Sequence, residues 1–287
     1  MKGICHMKWI DLPRNSIPYL AFDMMEQKDD IVAAFTTKRY YRNGNPDDFY
    51  QPLLRPESDP EEVAACVQLL VSQFGTDQEH LVSSAQKHMA NIHLVDANDL
   101  GPAAGRRNLE AIDGLITDMP GVMLRTFGAD CPSVYLYDPV RRAIGLCHSG
   151  RKGTQLHIAA RLLNAMQESF GTDPGDVLAA VSPGICGDCY EVGDEVAEDF
   201  SADYRKDPLT GSFRCQSILS DIISKKTGRY HIDLFAAIFH SLRDAGIPGS
   251  KIELPGMCTK CRSDLLYSFR AEGRISNENC AILMLRS

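Results

Sequence analysis

The sequence predicts a mixed α/β fold of the α+β kind, with central mixed β-sheets and helices packed outside them. Three observations predict it. Short β-branched and apolar runs alternate irregularly with long amphipathic runs, unlike the strict alternation of a doubly wound sheet. The 287 residues are 44% hydrophobic and 24% charged, an ordinary balance for a chain with a substantial core. No repeat, low-complexity segment or linker divides the chain, so residues 1–287 read as a single domain.

The elements follow in chain order. In "DDIVAAFTTKRYY", Ile31, Val32 and Phe35 with β-branched Thr36 and Thr37 mark an early strand. "NGNPDDFYQPLLRPESDP" is dense in Gly, Pro, Asn and Asp and reads as a loop. "DPEEVAACVQLLVSQFG" reads as a helix capped by Asp59, opened by Pro60 and closed by Gly75. Val63, Cys66, Val67, Leu70 and Val71 give it one apolar stripe. "HIAARLLNAMQESFG" is a second amphipathic helix ending at Gly171. A strand over Val177–Val181, a turn and a further helix follow in "DPGDVLAAVSPGICGDCYEVGDEVAEDF". "YHIDLFAAIFHSLRDAGIP" is a long helix that His231 begins, and the tail from Leu265 reads as a hairpin.

Between them lies "RTFGADCPSVYLYDPVRRAIGLCHSGRKG", two apolar strands around a turn. Asp138 and Pro139 suit the first two positions of a β-turn ending at Arg141. That register places Cys131 opposite His148; a turn one residue longer leaves them near neighbours. Two chemistries fit such a pair. Thiolate and imidazole are favoured zinc ligands, and a catalytic zinc has three protein ligands and one open position. Alternatively the cysteine is a nucleophile activated by the histidine. His88 and His93, five residues apart, lie on opposite faces if both are on one strand, so only one can be a third ligand. Pattern alone leaves that choice open. Cys147 should face away from His148, into the core.

A net charge of −8 argues against sequence-independent nucleic-acid binding, but leaves room for a small anion in a basic pocket. "MKGICHMKWIDLPRNSIPYL" lacks the apolar run of a signal peptide, and no stretch approaches the ~18 apolar residues of a membrane span. The expectation is a cytoplasmic protein without a membrane partner, whose ten cysteines are mostly thiols.

Several segments together resemble the YfiH-like family, long labelled laccase-domain or multicopper polyphenol oxidase proteins and now associated with purine nucleoside phosphorylase activity. "GADCPSVYLYDP" is similar to the family's T-A-D-C-x-P segment and "AIGLCHSGRKGT" to its H-A-G-W-R-G-T. "SPGICGDCYEVGDEV" resembles G-P-x-I-x-x-x-C-Y-E-V-G, and "YHIDLFAA" resembles H-x-D-L. "CTKCRSDLLYSFRAEGR" is similar to the closing C-T…F-S-Y-R-R, and "AQKHMANIHLV" stands where the family has Q-V-H-G. The likeness covers most of the chain after about residue 30, so the first ~30 residues read as a peripheral extension to a YfiH-like fold.

The resemblance implies a metal bound by His88, Cys131 and His148. Two nitrogens, one sulfur and an open position favour zinc over copper. Eight histidines without an H-x-H pair also disfavour a multicopper centre. The implied reactions are phosphorolysis of a purine nucleoside (adenosine, inosine, guanosine or methylthioadenosine), with inorganic phosphate as co-substrate, and deamination of adenosine. Phosphate candidates are Arg151 and Lys152, with Lys38 and Arg39. Asp130 is the catalytic candidate, to orient a histidine or act as a base. Tyr190 and Phe269 could stack on a purine. The chain departs from the family in having Arg151-Lys152 for Trp-Arg, and "FTTKRYYRNGNP" without the Gly-Gly of F-T-T-R-x-G-G-x-S. The rival readings are a cysteine hydrolase using Cys131 and His148, and a member that binds a nucleoside or a protein without turnover. Cys186-x-x-Cys189 and Cys258-x-x-Cys261 could form a structural zinc site, but the long separation of the pairs favours ordinary thiols.

Overall fold

The computed structural model describes residues 7–10, 16–39, 59–101, 109–205, 216–273 and 277–287. Two large mixed sheets lie face to face. The first has seven strands in the order β1 (Met7–Ile10), β2 (Tyr19–Phe22), β3 (Ile31–Thr36), β16 (Asn279–Leu285), β8 (Met123–Gly128), β4 (Leu81–Ala85) and β6 (Leu109–Glu110). The second has six: β15 (Ile252–Glu253), β11 (Leu178–Val181), β9 (Ser133–Asp138), β10 (Ala143–His148), β7 (Gly114–Thr117) and β5 (Ile92–Leu94). A small third sheet joins β12 (Glu191–Val192), β14 (Arg229–Ile232) and β13 (Ile223–Lys226).

The hydrophobic clusters show why the sheets stack. Phe22, Phe35, Leu124 and Leu283 of the first sheet meet Leu115, Tyr135, Tyr137, Ile144 and Leu146 of the second in one buried core. The outer face of the first sheet is covered by α2 (Pro60–Gln73), through Cys66, Leu70 and Val71. The outer face of the second is covered by α4 (Ile158–Phe170) and α7 (Leu234–Asp244). The central strands β8, β9, β10 and β16 are therefore buried along their whole length. Strands with both faces covered read as nearly continuous apolar runs, as these do.

Local chemistry sets the element ends. Asp59 accepts a hydrogen bond from the Glu61 amide at 2.9 Å and caps α2, Pro60 occupies its first turn, and Gly75 stands beyond its end at φ +80°. The expected helix "HIAARLLNAMQESFG" is α4, closed by left-handed Gly171. Among the described residues the remaining α-helices are α1 (Asp23–Glu26), α3 (Arg151–Gln155), α5 (Asp194–Tyr204), α6 (Gln216–Ile222) and α8 (Phe269–Glu272).

Five expectations differ from the structure. The expected N-terminal extension is not peripheral: β2 pairs with β3, and Leu20, Phe22 and Met25 are buried in the core between the sheets. The β9–β10 hairpin pairs Asp138 with Ala143 and Ser133 with His148, two residues away from the predicted register. Asp138 accepts from the amides of Val140 and Arg141, and Arg142 adopts φ +51°, so the turn runs through Arg142. His231 lies in β14 instead of opening a helix; α7 begins at Leu234, capped by Asp233, which accepts from the Phe235 and Ala236 amides. The tail is no hairpin. It forms the single turn α8 and one strand, β16, whose partners β3 and β8 lie far back in the chain. His88 and His93 do not share a strand: His88 sits in the loop after β4, and His93 lies on β5. Most of the expected "NGNPDDFYQPLLRPESDP" loop falls outside the described residues.

Candidate metal centre

The centre forms where the ends of β4, β8 and β10 converge. After β8 the chain must reverse sharply to enter β9. Gly128 permits the reversal, because a Cβ there would lie 2.3 Å from the Cys131 carbonyl oxygen. Asp130 takes φ +88°, a conformation Asp tolerates better than most residues. Cys131 thus stands just before β9, and the Ser149 amide donates to the Pro132 carbonyl at 2.8 Å. The reversal and this continuation of the β9–β10 pairing set Cys131 beside Gly150, two residues past His148, and so bring the thiol to the end of β10.

His88, Cys131 and His148 offer ligand atoms that all lie within 4.8 Å of one another. The two imidazole rings stand 4.8 Å apart and nearly perpendicular. His93 faces elsewhere, with its Nε2 2.9 Å from the Asp99 carboxylate. Of the two histidines, His88 is the one that lies with Cys131 and His148. Gly150, immediately before α3, leaves space beside all three ligands. A Cβ there would lie 2.8 Å from Cys131 Sγ, 3.1 Å from the His88 ring and 3.2 Å from the His148 ring. A soft sulfur, two nitrogens and an open quarter fit a tetrahedral ion with one free position.

Asp113 organises the centre, and the sequence reading missed it. Its fully buried carboxylate accepts from the amides of Lys87, His88 and Met89 at 2.9–3.1 Å. These three bonds hold the loop in which His88 adopts φ +57°. The same carboxylate lies 2.9 Å from His148 Nδ1, and its backbone carbonyl accepts from the His148 amide at 2.8 Å. With Nδ1–H donating to Asp113, Nε2 of His148 is the ligand face. One signal could have shown this: an acid directly before the buried strand "GLIT" needs a buried partner.

The electrostatics follow. Burial would raise the Cys131 thiol, but hydrogen bonds from His148 and His88 outweigh it and bring it down to about 6. Burial would lower His148, but Asp113 and the Cys131 sulfur push it up to about 10. These are two views of one thiolate–imidazolium contact and are not added. Burial also opposes ionisation of Asp113, yet His148 and the loop amides hold it below the usual carboxylate range. Cys147, on the other face of β10, is fully buried and its thiol is pushed up by desolvation, as a core residue should be.

The other candidates are placed as follows. The Asp130 carboxylate accepts from Thr259 Oγ1 and Ser268 Oγ at 2.6 Å and from the Arg270 amide at 2.7 Å. It ties the reversal to the 258–262 turn and to α8, while the carboxylate beside a histidine of the centre is Asp113. Arg151 and Lys152 open α3 directly after Gly150; Arg151 is half-buried and Lys152 exposed. Lys38 donates to Glu272 at 2.7 Å and to the Ser263 carbonyl at 2.9 Å. Arg39 lines a cavity of about 420 Å³ with Trp9, Leu20, Met257 and Arg262, a lining that includes none of the three ligands. Tyr190 carries the Arg270 guanidinium 5.3 Å from its ring centroid, and Phe269 is exposed. Arg270 is a second residue the sequence reading did not single out, although it stands in the quoted "YSFRAEGR".

Comparison with known proteins shows the family and the fold. The family model described as "Multi-copper polyphenol oxidoreductase laccase" matches residues 33–286, and the chain belongs to that family, the YfiH-like proteins. The purine nucleoside phosphorylase YlmD of Bacillus subtilis is 28% identical over 251 residues, covering 86% of each chain. The adenosine deaminase RL5, from an unknown prokaryotic organism, is 31% identical over 210 residues, covering 71% of this chain and 74% of its own. The crystal structure of the hypothetical protein YfiH of Bacillus licheniformis superposes with a TM-score of 0.82 at 30% identity, covering 98% of this chain and 99% of the other. Among the described residues no helix is long and apolar enough to cross a membrane.

Proposed function

We propose that the protein is a zinc-dependent purine nucleoside phosphorylase that also deaminates adenosine. The observation that carries this reading is the His88–Cys131–His148 set with its open quarter over Gly150, beside two basic side chains. The names of the relatives, a phosphorylase and an adenosine deaminase, support the same substrate class. A zinc ion, when bound, supplies Lewis-acid polarisation and an activated water.

The chain's own residues do the rest. Asp113 locks His148 in one tautomer and fixes the His88 loop, so the three donors need no rearrangement. Arg151 and Lys152 are assigned to the phosphate co-substrate, Arg151 by paired N–H bonds and Lys152 as a point charge. Lys38 and Arg39 form an outer cationic pair, and Lys38 reaches an anion only by leaving Glu272. Tyr190 offers a face to the purine. Asp130 acts as a positioning residue, holding the reversal that presents Cys131.

Exchanging Cys131 for Ala tests the ligand set: the variant should lose this centre's metal and both activities together. Full activity in Cys131→Ala would refute the reading. Lys152→Ala should raise the KM for phosphate and leave deamination unchanged, and equal loss of both would remove Lys152 from the phosphate site.

A specific observation favours a second reading. Cys131, His148 and Asp113 are also ordered as nucleophile, base and orienting carboxylate. In a cysteine hydrolase the thiol is free to be alkylated in the protein as isolated. In the zinc enzyme it is protected until a chelator is added.

A further inference from the structure

Cys186, Cys189, Cys258 and Cys261 lie in two C-x-x-C turns that the sequence separates and the fold joins. Their four Sγ atoms all lie within 4.8 Å of one another. Cys189 Sγ and Cys261 Sγ are 3.5 Å apart. Sulfurs on a tetrahedral zinc, each at about 2.3 Å from the metal, stand about 3.8 Å from one another. The cluster is therefore already close to the size of a tetrathiolate zinc shell.

The backbone builds the rest of such a site. The Cys186 amide donates to Cys258 Sγ at 3.3 Å, a bond that favours the thiolate form. The amides of Cys189 and Tyr190 turn back onto the Cys186 carbonyl, and the Arg262 amide turns back onto that of Cys258. Both C-x-x-C segments are thus tight turns that present two sulfurs to the same side. Gly184 bridges to Cys258, and the Thr259 amide donates to the Gly184 carbonyl at 2.9 Å. His231 braces the first turn from outside, with Nδ1 3.0 Å from the Gly187 carbonyl. Lys226 pairs with Asp188 between the first two cysteines and brings a cation close to the cluster.

We infer that these four cysteines bind a structural zinc ion of their own, separate from the ion assigned to His88, Cys131 and His148. Binding replaces four S–H bonds with four S–Zn bonds and releases four protons, leaving a shell of net charge −2. No oxidant or reductant is needed. The ion would join the 184–190 segment to the 258–262 turn. Each carries a residue next to a cysteine that holds Asp130: the Ile185 amide donates to its carbonyl at 2.8 Å, and Thr259 Oγ1 donates to its carboxylate at 2.6 Å. The second ion would therefore brace, from behind, the reversal that presents Cys131.

The test counts metal on intact protein purified under reducing conditions, by native mass spectrometry and elemental analysis. Wild type should hold two zinc ions per chain. Cys131→Ala should keep one, and Cys186→Ser should keep the other. Cobalt loaded into Cys131→Ala should show the intense thiolate-to-metal absorption of an all-sulfur tetrahedral site. The milder Cys261→Ser, at the most exposed ligand, should weaken that band if Cys186→Ser does not fold. One zinc in wild type that Cys131→Ala abolishes would overturn the inference. So would an intact mass four hydrogens lighter than the all-thiol chain, which would mean two disulfides. Because Cys131→Ala retains the four-cysteine ion, this count stands whether or not the protein turns over a nucleoside.

Discussion

Asp113 carries four hydrogen bonds of the metal centre on one carboxylate, three from the His88 loop and one from His148. Exchange for Asn presents an amide donor to those donors and removes the charge that pairs with His148. Asp113→Asn should weaken metal binding by about 10–100-fold, read by competition with a chromogenic chelator. The sign of its pH dependence follows from its lowered pKa. Its contribution to stability is fully present above the ordinary carboxylate value near 4 and is lost as pH falls through the depressed folded value. The stability gap between wild type and Asp113→Asn should be flat above about pH 5 and close on acidification. A gap that instead widened in acid would contradict the assignment. Cys131 titrates near 6, so in metal-free protein its alkylation should rise with pH and inflect there, whereas an ordinary thiol inflects near 8.5. Gly150→Ala should cost metal and spare the fold, because the atoms nearest its Cβ are those of Cys131, His88 and His148. Circular dichroism beside metal analysis separates the two effects.

At the scale of the element, local sequence signals were read well wherever local chemistry decides. Asp59, Pro60 and Gly75 bracket α2 as their residue types require, and the α2 stripe at Cys66, Leu70 and Val71 is the face it buries. Asp59→Ala should destabilise the protein by about 1 kcal/mol in denaturant unfolding and leave turnover unchanged, since α2 covers the sheet face opposite the second sheet. The hairpin shows where local signals stop. Asp138-Pro139 marks a turn, but its length depends on Arg142 accepting a left-handed conformation, which residue type does not announce. Cys131 and His148 were rightly read as neighbours although the predicted register was not the observed one. The observed register sets Cys131 opposite Gly150, two residues along β10's line from His148, so the two remain diagonal neighbours on one face.

On the scale of the whole molecule, the sequence showed the mixed α/β class but not which distant segments pair. β16 lies between β3 and β8, and nothing within "NCAILML" specifies partners more than a hundred residues away. The same limit hid Asp113, whose partners come from two other segments, and the meeting of the two C-x-x-C turns. The three proposed ligands were singled out because several motifs in order resemble one family, and the fold brings those residues together. The most direct test is a chromatographic assay on metal-quantified protein, offering adenosine, inosine, guanosine and methylthioadenosine with and without phosphate. Phosphate-dependent release of free base, with phosphate-independent inosine from adenosine, is the expected result. No turnover of any nucleoside by protein holding zinc at His88, Cys131 and His148 would contradict the proposed function and leave a binding protein in its place.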